Sequence, residues 1–318
     1  MKKISIVIPV YFNEQNLLDT VPRLIQLTHH NSKNYLFEII FVDDGSKDNS
    51  LSILIDYQRK YPDIIRVAKL SRNFGSMAAI AAGFSIANGD CVGVITADLQ
   101  DPPELFVQMI ESWEKGNKLI LAVRENREDS FFERKFSNLF YKLVRKYALE
   151  SYPPGGFDFL LADKQIITEI NKISEKNTNI MSLIYWTGFD PVLIPYTRKK
   201  RKKGKSRWTF SKKIKLFLDT FVGFSYVPIR ALSAIGLMVA IASFLYGAFI
   251  LLSWIFWGTV VQGWVPMMII LTFTAGIQML MLGVLGEYLW RGLDETRKRP
   301  LFIIDKVYEK EKGDIDGE

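Results

Sequence analysis

The sequence predicts an α/β domain built on a doubly wound, mostly parallel sheet, followed by two membrane-spanning helices. Three observations point there. Between Ile4 and Val123 short apolar runs alternate with helix-periodic segments, the pattern of parallel strands covered by helices on both faces. No Asp, Glu, Lys or Arg occurs between Arg230 and Glu287. Just ahead of that interval, Arg198 to Lys215 holds eleven Lys or Arg and no acid.

The strands are expected at Ile4–Tyr11, Leu36–Val42, Ile64–Leu70, Cys91–Thr96 and Leu119–Val123, with helices near Asn16–Leu27, Asn49–Arg59, Met77–Ala87 and Leu105–Trp113. Met1-Lys2-Lys3 followed by Ile4–Phe12 superficially resembles a secretory signal. The apolar stretch is short, has no small-residue cleavage site and runs into Asn13-Glu14, so a first strand is expected. Phe131–Tyr147 reads as an amphipathic helix, with Phe132, Phe136, Leu139, Phe140, Leu143 and Val144 facing away from Lys142, Arg145 and Lys146. It suits either a core-facing helix or one lying at a membrane surface. Ser211–Phe224 repeats the pattern, with Ile214, Phe217, Leu218 and Phe221 at helical spacing.

A hydrocarbon core of about 30 Å takes roughly 20 helical residues. The charge-free interval therefore fits two spans, Ala231–Trp257 and Val265–Trp290, with Gly258, Gly263 and Pro266 at the turn. The basic run precedes the first span, Arg291 and Arg297–Arg299 follow the second, and Thr259–Trp264 has no charge. The positive-inside rule places both termini and the main domain in the cytoplasm of a multi-pass inner-membrane protein. The expected organisation is a catalytic domain over 1–197, a basic juxtamembrane segment over 198–229, two spans over 230–290 and a cytoplasmic tail over 291–318. The net charge is +7. Its densest cluster lies beside a span, which points to the bilayer and to phosphate and away from nucleic acid. A single cysteine, Cys91, excludes an internal disulfide, in keeping with a cytoplasmic main domain.

In open α/β sheets ligands bind outside the carboxyl ends of the strands. Five polar clusters fall there: Asn13-Glu14, Asp43-Asp44-Gly45-Ser46, Ser71-Arg72-Asn73, Asp98–Asp101, and Arg124 with Arg127. Asp98 and Gln100, two residues apart before Pro102-Pro103, can share one hard cation, because Mg2+ is held by few protein oxygens with phosphates and water completing its shell. Taken alone, Asp98 and Asp101 suit a turn and a helix cap equally well. No glycine-rich phosphate loop of the G-x-G-x-x-G or G-x-x-x-x-G-K-[ST] type is present. A bound nucleotide would thus have its phosphates neutralised by metal and by Arg or Lys. Asp43 and Asp44, which only accept hydrogen bonds when ionised, suit a base N–H or ribose hydroxyls. His29 and His30 sit among polar residues at a helix end and read as solvated.

Pro9-Val10-Tyr11-Phe12-Asn13-Glu14, Val42–Asp48, Arg72-Asn73-Phe74-Gly75 and Ala97–Pro103 occur in that order. Together they resemble glycosyltransferase family 2. Within it, the chain from Ile4 to Ile304 is similar to bacterial polyprenyl-phosphate glycosyltransferases of the bactoprenol glucosyltransferase type, relatives of dolichol-phosphate mannose synthase. The resemblance implies a GT-A fold, a nucleotide-diphospho-sugar donor, a divalent metal (Mg2+ or Mn2+) and a polyprenyl phosphate acceptor. It implies donor contacts at Pro9, Tyr11, Glu14, Asp43, Asp44, Asn73, Gly75 and Asp98, with Arg201 and Lys205 near the diphosphate and the metal on Asp98 and Gln100. Gly155–Phe159 resembles the family's acidic segment, making Asp158 a sugar contact or a catalytic base. Arg124, Arg127 and Arg134 are candidates for the acceptor phosphate.

One departure stands out: the family usually carries Asp where this chain has Thr96. The implied reaction is an inverting transfer, with UDP-glucose the favoured donor and undecaprenyl phosphate the acceptor. Its lipid-linked sugar would serve cell-envelope glycosylation such as lipopolysaccharide or O-antigen modification. GDP-mannose or a modified UDP-pentose would need much the same contacts, and homo-oligomerisation is left open. A processive synthase would carry Q-x-x-R-W, but here Gly204 stands at the Gln position before Arg207-Trp208. A non-enzymatic membrane-anchored nucleotide-sugar-binding protein is the remaining alternative.

Overall fold

A computed structural model describes residues 1–124, 141–154, 156–176, 178–198, 219–257 and 263–310. The first strand, β1 (Lys2–Val10), is an Ile- and Val-rich run buried on both faces, as a central strand between two helical layers must be. It is followed by α1 (Glu14–Asn31), β2 (Tyr35–Asp43), α2 (Ser50–Lys60), β3 (Ile65–Leu70), α3 (Ser76–Ile86), β4 (Cys91–Val94), α4 (Leu105–Glu114) and β5 (Leu119–Arg124). These nine elements match the sequence expectation in order and type. Next come β6 (Phe159–Asp163), α5 (Lys164–Ile170), α6 (Ile180–Trp186), β7 (Pro191–Tyr196), α7 (Val227–Trp257), α8 (Trp264–Thr296) and β8 (Ile304–Tyr308).

The eight strands form one sheet in the order β7-β5-β6-β4-β1-β2-β3-β8. β4, β1, β2 and β3 run parallel, as do β5 and β7, while β6 and β8 run antiparallel to their neighbours. Alternate side chains enter two cores. Ile4, Ile6 and Ile8 of β1 pack with α1 and α4, and Val7 packs on the other side with α3, α5 and α6. α3 is apolar around its whole circumference, and a Cβ at Gly83 would come within 2.2 Å of Val7. The missing side chain lets this helix lie directly on the sheet.

The parallel register fixes where function can sit. Val10 pairs with Asp43, Asp43 with Lys69, and Arg124 with Tyr196. The loops after β1, β2, β3, β4, β5 and β7 therefore open along one edge.

α7 and α8 contain the two stretches long and apolar enough to cross a membrane, and no residue of either apolar stretch is buried. The C-terminal end of α8 is tied to the domain. Arg291 pairs with Asp219 at 2.9 Å, Ser174 Oγ donates to Glu295 at 3.1 Å, and Lys176 Nζ donates to the Asp294 carbonyl at 2.8 Å. The chain then returns to the sheet. Residues 304–308, which the sequence reading left in a tail, form β8 against β3. The Ser71 amide donates to the Ile303 carbonyl at 3.0 Å, and Lys69 pairs with Asp305 at 2.5 Å. Of the two amphipathic segments, only 141–147 and 219–224 lie within the described residues, and both are helical. In the first, Val144 is buried while Lys142, Arg145 and Lys146 are exposed, the sidedness the sequence predicts.

Cross-strand pairs are worth about 0.2–1 kcal/mol each. A chain ending at Arg299, and so lacking β8, is expected to lose roughly 1–4 kcal/mol, read as a lower thermal midpoint in detergent. An unchanged midpoint would show that β3 needs no partner on that side.

Candidate active site

The loops after β1 and β2 hold each other. The Phe12 amide donates to Ser46 Oγ at 3.0 Å, the Asn13 amide to Ser50 Oγ at 2.8 Å, and the Asn49 amide to Glu14 Oε2 at 3.1 Å. Glu14 thus braces the loops as well as lining the cavity between them. Asp44, almost fully buried, takes the Phe74 amide on one oxygen at 2.7 Å and the Gly75 amide on the other at 2.9 Å. It thereby pins the Asn73–Gly75 loop to the end of β2. Gly45 is required at this junction: its φ is +70°, and a Cβ would meet the Arg72–Asn73 backbone at 2.8 Å.

Asp43 lies beneath, with Oδ2 accepting from the Ser46 amide at 3.2 Å. Its Oδ1 is buried and has no hydrogen-bond partner among the described residues, a costly state for an acceptor. Burial pushes both carboxyls upward. Asp44 rises to about 6 because burial outweighs its two amide donors, and the neighbouring Asp43 charge adds to the rise.

After β4 the chain turns sharply, with Leu99 at φ +53°. Thr20 Oγ1 donates to the Ala97 carbonyl at 2.8 Å, fixing the turn to α1. Asp98 is 8% exposed and Asp101 0%. Thr96 Oγ1 stands 2.9 Å from Asp98 Oδ1 and 3.0 Å from Asp101 Oδ2, and the Gln100 amide donates to Asp98 Oδ1 at 3.3 Å. The Thr96 hydroxyl, with one proton for two carboxylates, ties them into one unit.

Tyr196 at the end of β7 donates its hydroxyl to Asp101 Oδ1 at 2.5 Å, and Arg124 Nε donates to the Tyr196 oxygen at 3.4 Å. Arg124 forms a close ion pair with Asp158. Burial and the Asp101 charge push the Tyr196 phenol well above its ordinary value, so it stays a donor. Arg198 Nε lies 3.3 Å from Asp101 Oδ1. A polar chain thus runs from Asp98 through Thr96, Asp101 and Tyr196 to Arg124 and Asp158, across the ends of β4, β7 and β5.

One cavity of about 1400 Å3 gathers Pro9, Tyr11, Glu14, Asp44, Asn73, Gly75, Asp98, Gln100 and Asp158. Of the candidates read from the sequence, Asp43 and Arg124 lie behind its wall. Arg127, Arg134, Arg201 and Lys205 fall outside the described residues. The cavity continues to Asp219 and to Pro300–Phe302, the residues flanking the apolar helices. Among the described residues no three His, Cys, Asp or Glu side chains converge as a metal cage. Thr96, Asp101, Tyr196 and Arg198 were not singled out as site residues. Asp101 read as a turn or helix-cap residue and Arg198 as the start of a basic run suited to orientation, anionic lipid or phosphate, and no local spacing joins Asp101 to Tyr196 or Arg198.

The sequence profile of "Glycosyl transferase family 2" matches residues 5–172. The chain belongs to that family. Its sheet, mostly parallel with a reversed strand between β4 and β5, is the GT-A-like fold expected of a family member. An uncharacterized glycosyltransferase of Bacillus subtilis, YkcC, is 37% identical over 96% of this chain and 94% of its own length. The prophage bactoprenol glucosyl transferase homolog of Escherichia coli is 35% identical over 96% and 99%. The bactoprenol glucosyl transferase of Shigella phage SfV is 35% identical over 97% and 100%. Among solved structures, the glucosyl-3-phosphoglycerate synthase of Mycobacterium tuberculosis with UDP aligns at 15% identity and a TM-score of 0.45, over 68% of this chain and 76% of that one.

Tyr196→Phe leaves the buried Asp101 short of a donor and should cost roughly 1–3 kcal/mol of stability. Urea unfolding of the full chain in detergent reads it, and equal stability would show the hydroxyl to be idle. Asp44 gives a pH test. Its folded value lies above the ordinary 3.8, so its contribution is complete below that pH and is lost as pH rises through about 6. The stability gap between wild type and Asp44→Asn should shift towards the variant between pH 4 and 6. Parallel thermal midpoints across that range would show that burial does not perturb Asp44.

Proposed function

We propose that this glycosyltransferase moves a sugar, glucose foremost, from a nucleotide-diphospho-sugar to polyprenyl phosphate at the cytoplasmic face of the inner membrane. The observation that carries this reading is the single cavity. It joins the strand-end carboxylates to Asp219 and Pro300–Phe302, next to the two apolar helices. A donor held at one end and a lipid headgroup entering at the other would meet between them. The full-length similarity to relatives named bactoprenol glucosyl transferase supports the same acceptor and sugar.

On the donor side, Asp43 Oδ1 is the buried acceptor that a base N–H or a ribose hydroxyl would complete. Asp98 and the Gln100 side chain offer one carboxylate and one amide oxygen to the same cavity. That set fits Mg2+ or Mn2+ provided that the donor's phosphates complete the shell. When bound, the ion would offset charge building on the departing nucleoside diphosphate. Thr96 holds Asp98 in place in this chain, where the family's usual residue would add a carboxylate.

A lipid phosphate, with its second ionisation near pH 6, arrives largely as a dianion and needs no strong base. Asp158, tied to Arg124, serves to orient the sugar or the acceptor more than to take a proton. A single in-line displacement inverts the anomeric carbon. β8 supports two crossings: a segment following α8 pairs with a strand preceding α7, so both lie on one side. The basic run supports a cytoplasmic position for that side.

Radiolabelled UDP-glucose with membranes containing polyprenyl phosphate should give label extractable into organic solvent. Asp98→Ala should cut the yield at least about a hundredfold, since it removes the carboxylate that would hold the metal. Polymer-bound label, or label transferred equally by the variant, would overturn the reading, and a panel including GDP-mannose identifies the sugar.

A further inference from the structure

The proposed donor brings a diphosphate into this cavity. Among the described residues, seven carboxylates line it against two cations, Lys176 and Arg198. Lys176 is committed elsewhere, donating to the Asp294 carbonyl at 2.8 Å and lying 3.7 Å from the Asp294 carboxylate. It fastens the end of α8. Among the described lining residues, Arg198 is the cation that remains.

Its placement is specific. Arg198 follows β7 by two residues and emerges beside the turn that carries Asp98. Nε lies 3.3 Å from Asp101 Oδ1 but lacks hydrogen-bond geometry and has no other partner among the described residues. The side chain is 25% exposed, and Asp101 is fully buried. Asp101 is itself fixed by Tyr196 at 2.5 Å and by Thr96 at 3.0 Å. A buried carboxylate held from two sides is a rigid counter-charge. It restrains the guanidinium at one edge and leaves its other N–H groups to the cavity. Arg suits this duty because its planar donors can bind two phosphate oxygens at once.

We propose that Arg198 contacts the phosphates of the nucleotide donor, with Asp101 as the positioning residue that holds its guanidinium beside Asp98. This rests on the donor reading above and adds a protein cation to the metal pair. As the bond from the anomeric carbon to the diphosphate oxygen breaks, the electron pair stays on the diphosphate. A guanidinium already in place stabilises that charge without rearranging. The run of cations that begins at Arg198 thus starts inside the site.

The test is calorimetric titration of UDP, and in parallel GDP, with Mg2+ present, into the full chain in detergent. Arg198→Ala should weaken nucleoside diphosphate binding at least about tenfold, the effect of losing one charge-assisted contact. Arg198→Lys should fall between the variant and wild type, since a point charge replaces a two-pronged donor. Asp101→Asn, which keeps an acceptor for Tyr196, should also weaken binding. The double variant Asp101→Asn/Arg198→Ala should bind no more weakly than Arg198→Ala alone. Wild-type affinity in Arg198→Ala overturns the contact, and additive losses in the double variant overturn the positioning role. Should Arg198→Ala fail to fold, Arg198→Lys decides, and wild-type affinity in it overturns the two-pronged contact. A wild-type chain that binds neither nucleotide overturns the donor reading itself.

Discussion

Asp101 has no exposed surface, and a carboxylate in that position must be satisfied on every side or it destabilises the fold. Its partners come from distant parts of the sequence: Thr96 from its own turn, Tyr196 from the end of β7, and Arg198 just beyond. Satisfying one buried charge therefore joins three parts of the chain. It ties together the turn that presents Asp98 and Gln100, the end of β7, and Arg198 just beyond it. Through Tyr196 the same requirement reaches Arg124 and Asp158. The two ends of the site are held by one hydrogen-bonded unit and do not rely on separate loops.

The other half of the site rests on a second buried carboxylate used in a different way. Asp44 spends both oxygens on backbone amides of the Asn73–Gly75 loop, and β8 supports that loop from behind through Ser71 and Lys69. The loop is thus clamped between the end of β2 and a strand that follows α8. Asp43, one residue earlier, keeps one oxygen without a hydrogen-bond partner among the described residues. Adjacent residues of the same type thereby divide into Asp44, which builds the loop and lines the cavity, and Asp43, which lies fully buried behind its wall.

Much of this was legible in the sequence. The apolar alternation up to Val123 located five strands and four helices, because parallel strands buried on both faces leave a strong signal. The ordered motifs named the family and the strand-end part of the cavity's lining. β6, β7 and β8 were less visible. Phe159–Asp163 is a short apolar run that could equally be a buried helix segment. Pro191–Tyr196 carries two prolines, which argue against a strand except near an edge. Ile304–Tyr308 is only half apolar, as an edge strand should be. The Asp101 network could not be read because its partners are almost a hundred residues apart. In sequence, Tyr196 and Arg198 look like any strand end followed by a basic stretch.

β8 also has a consequence for biosynthesis. Domains tend to fold from the N-terminus as the chain leaves the ribosome, but here the partner of β3 is made after both apolar helices. Until both helices have been made, the newborn sheet has an open edge at β3, beside the loop that Asp44 pins. Closure comes only when the chain beyond α8 has left the ribosome. The Asn73–Gly75 loop therefore gains its backing late in synthesis, after every other described strand is already in place.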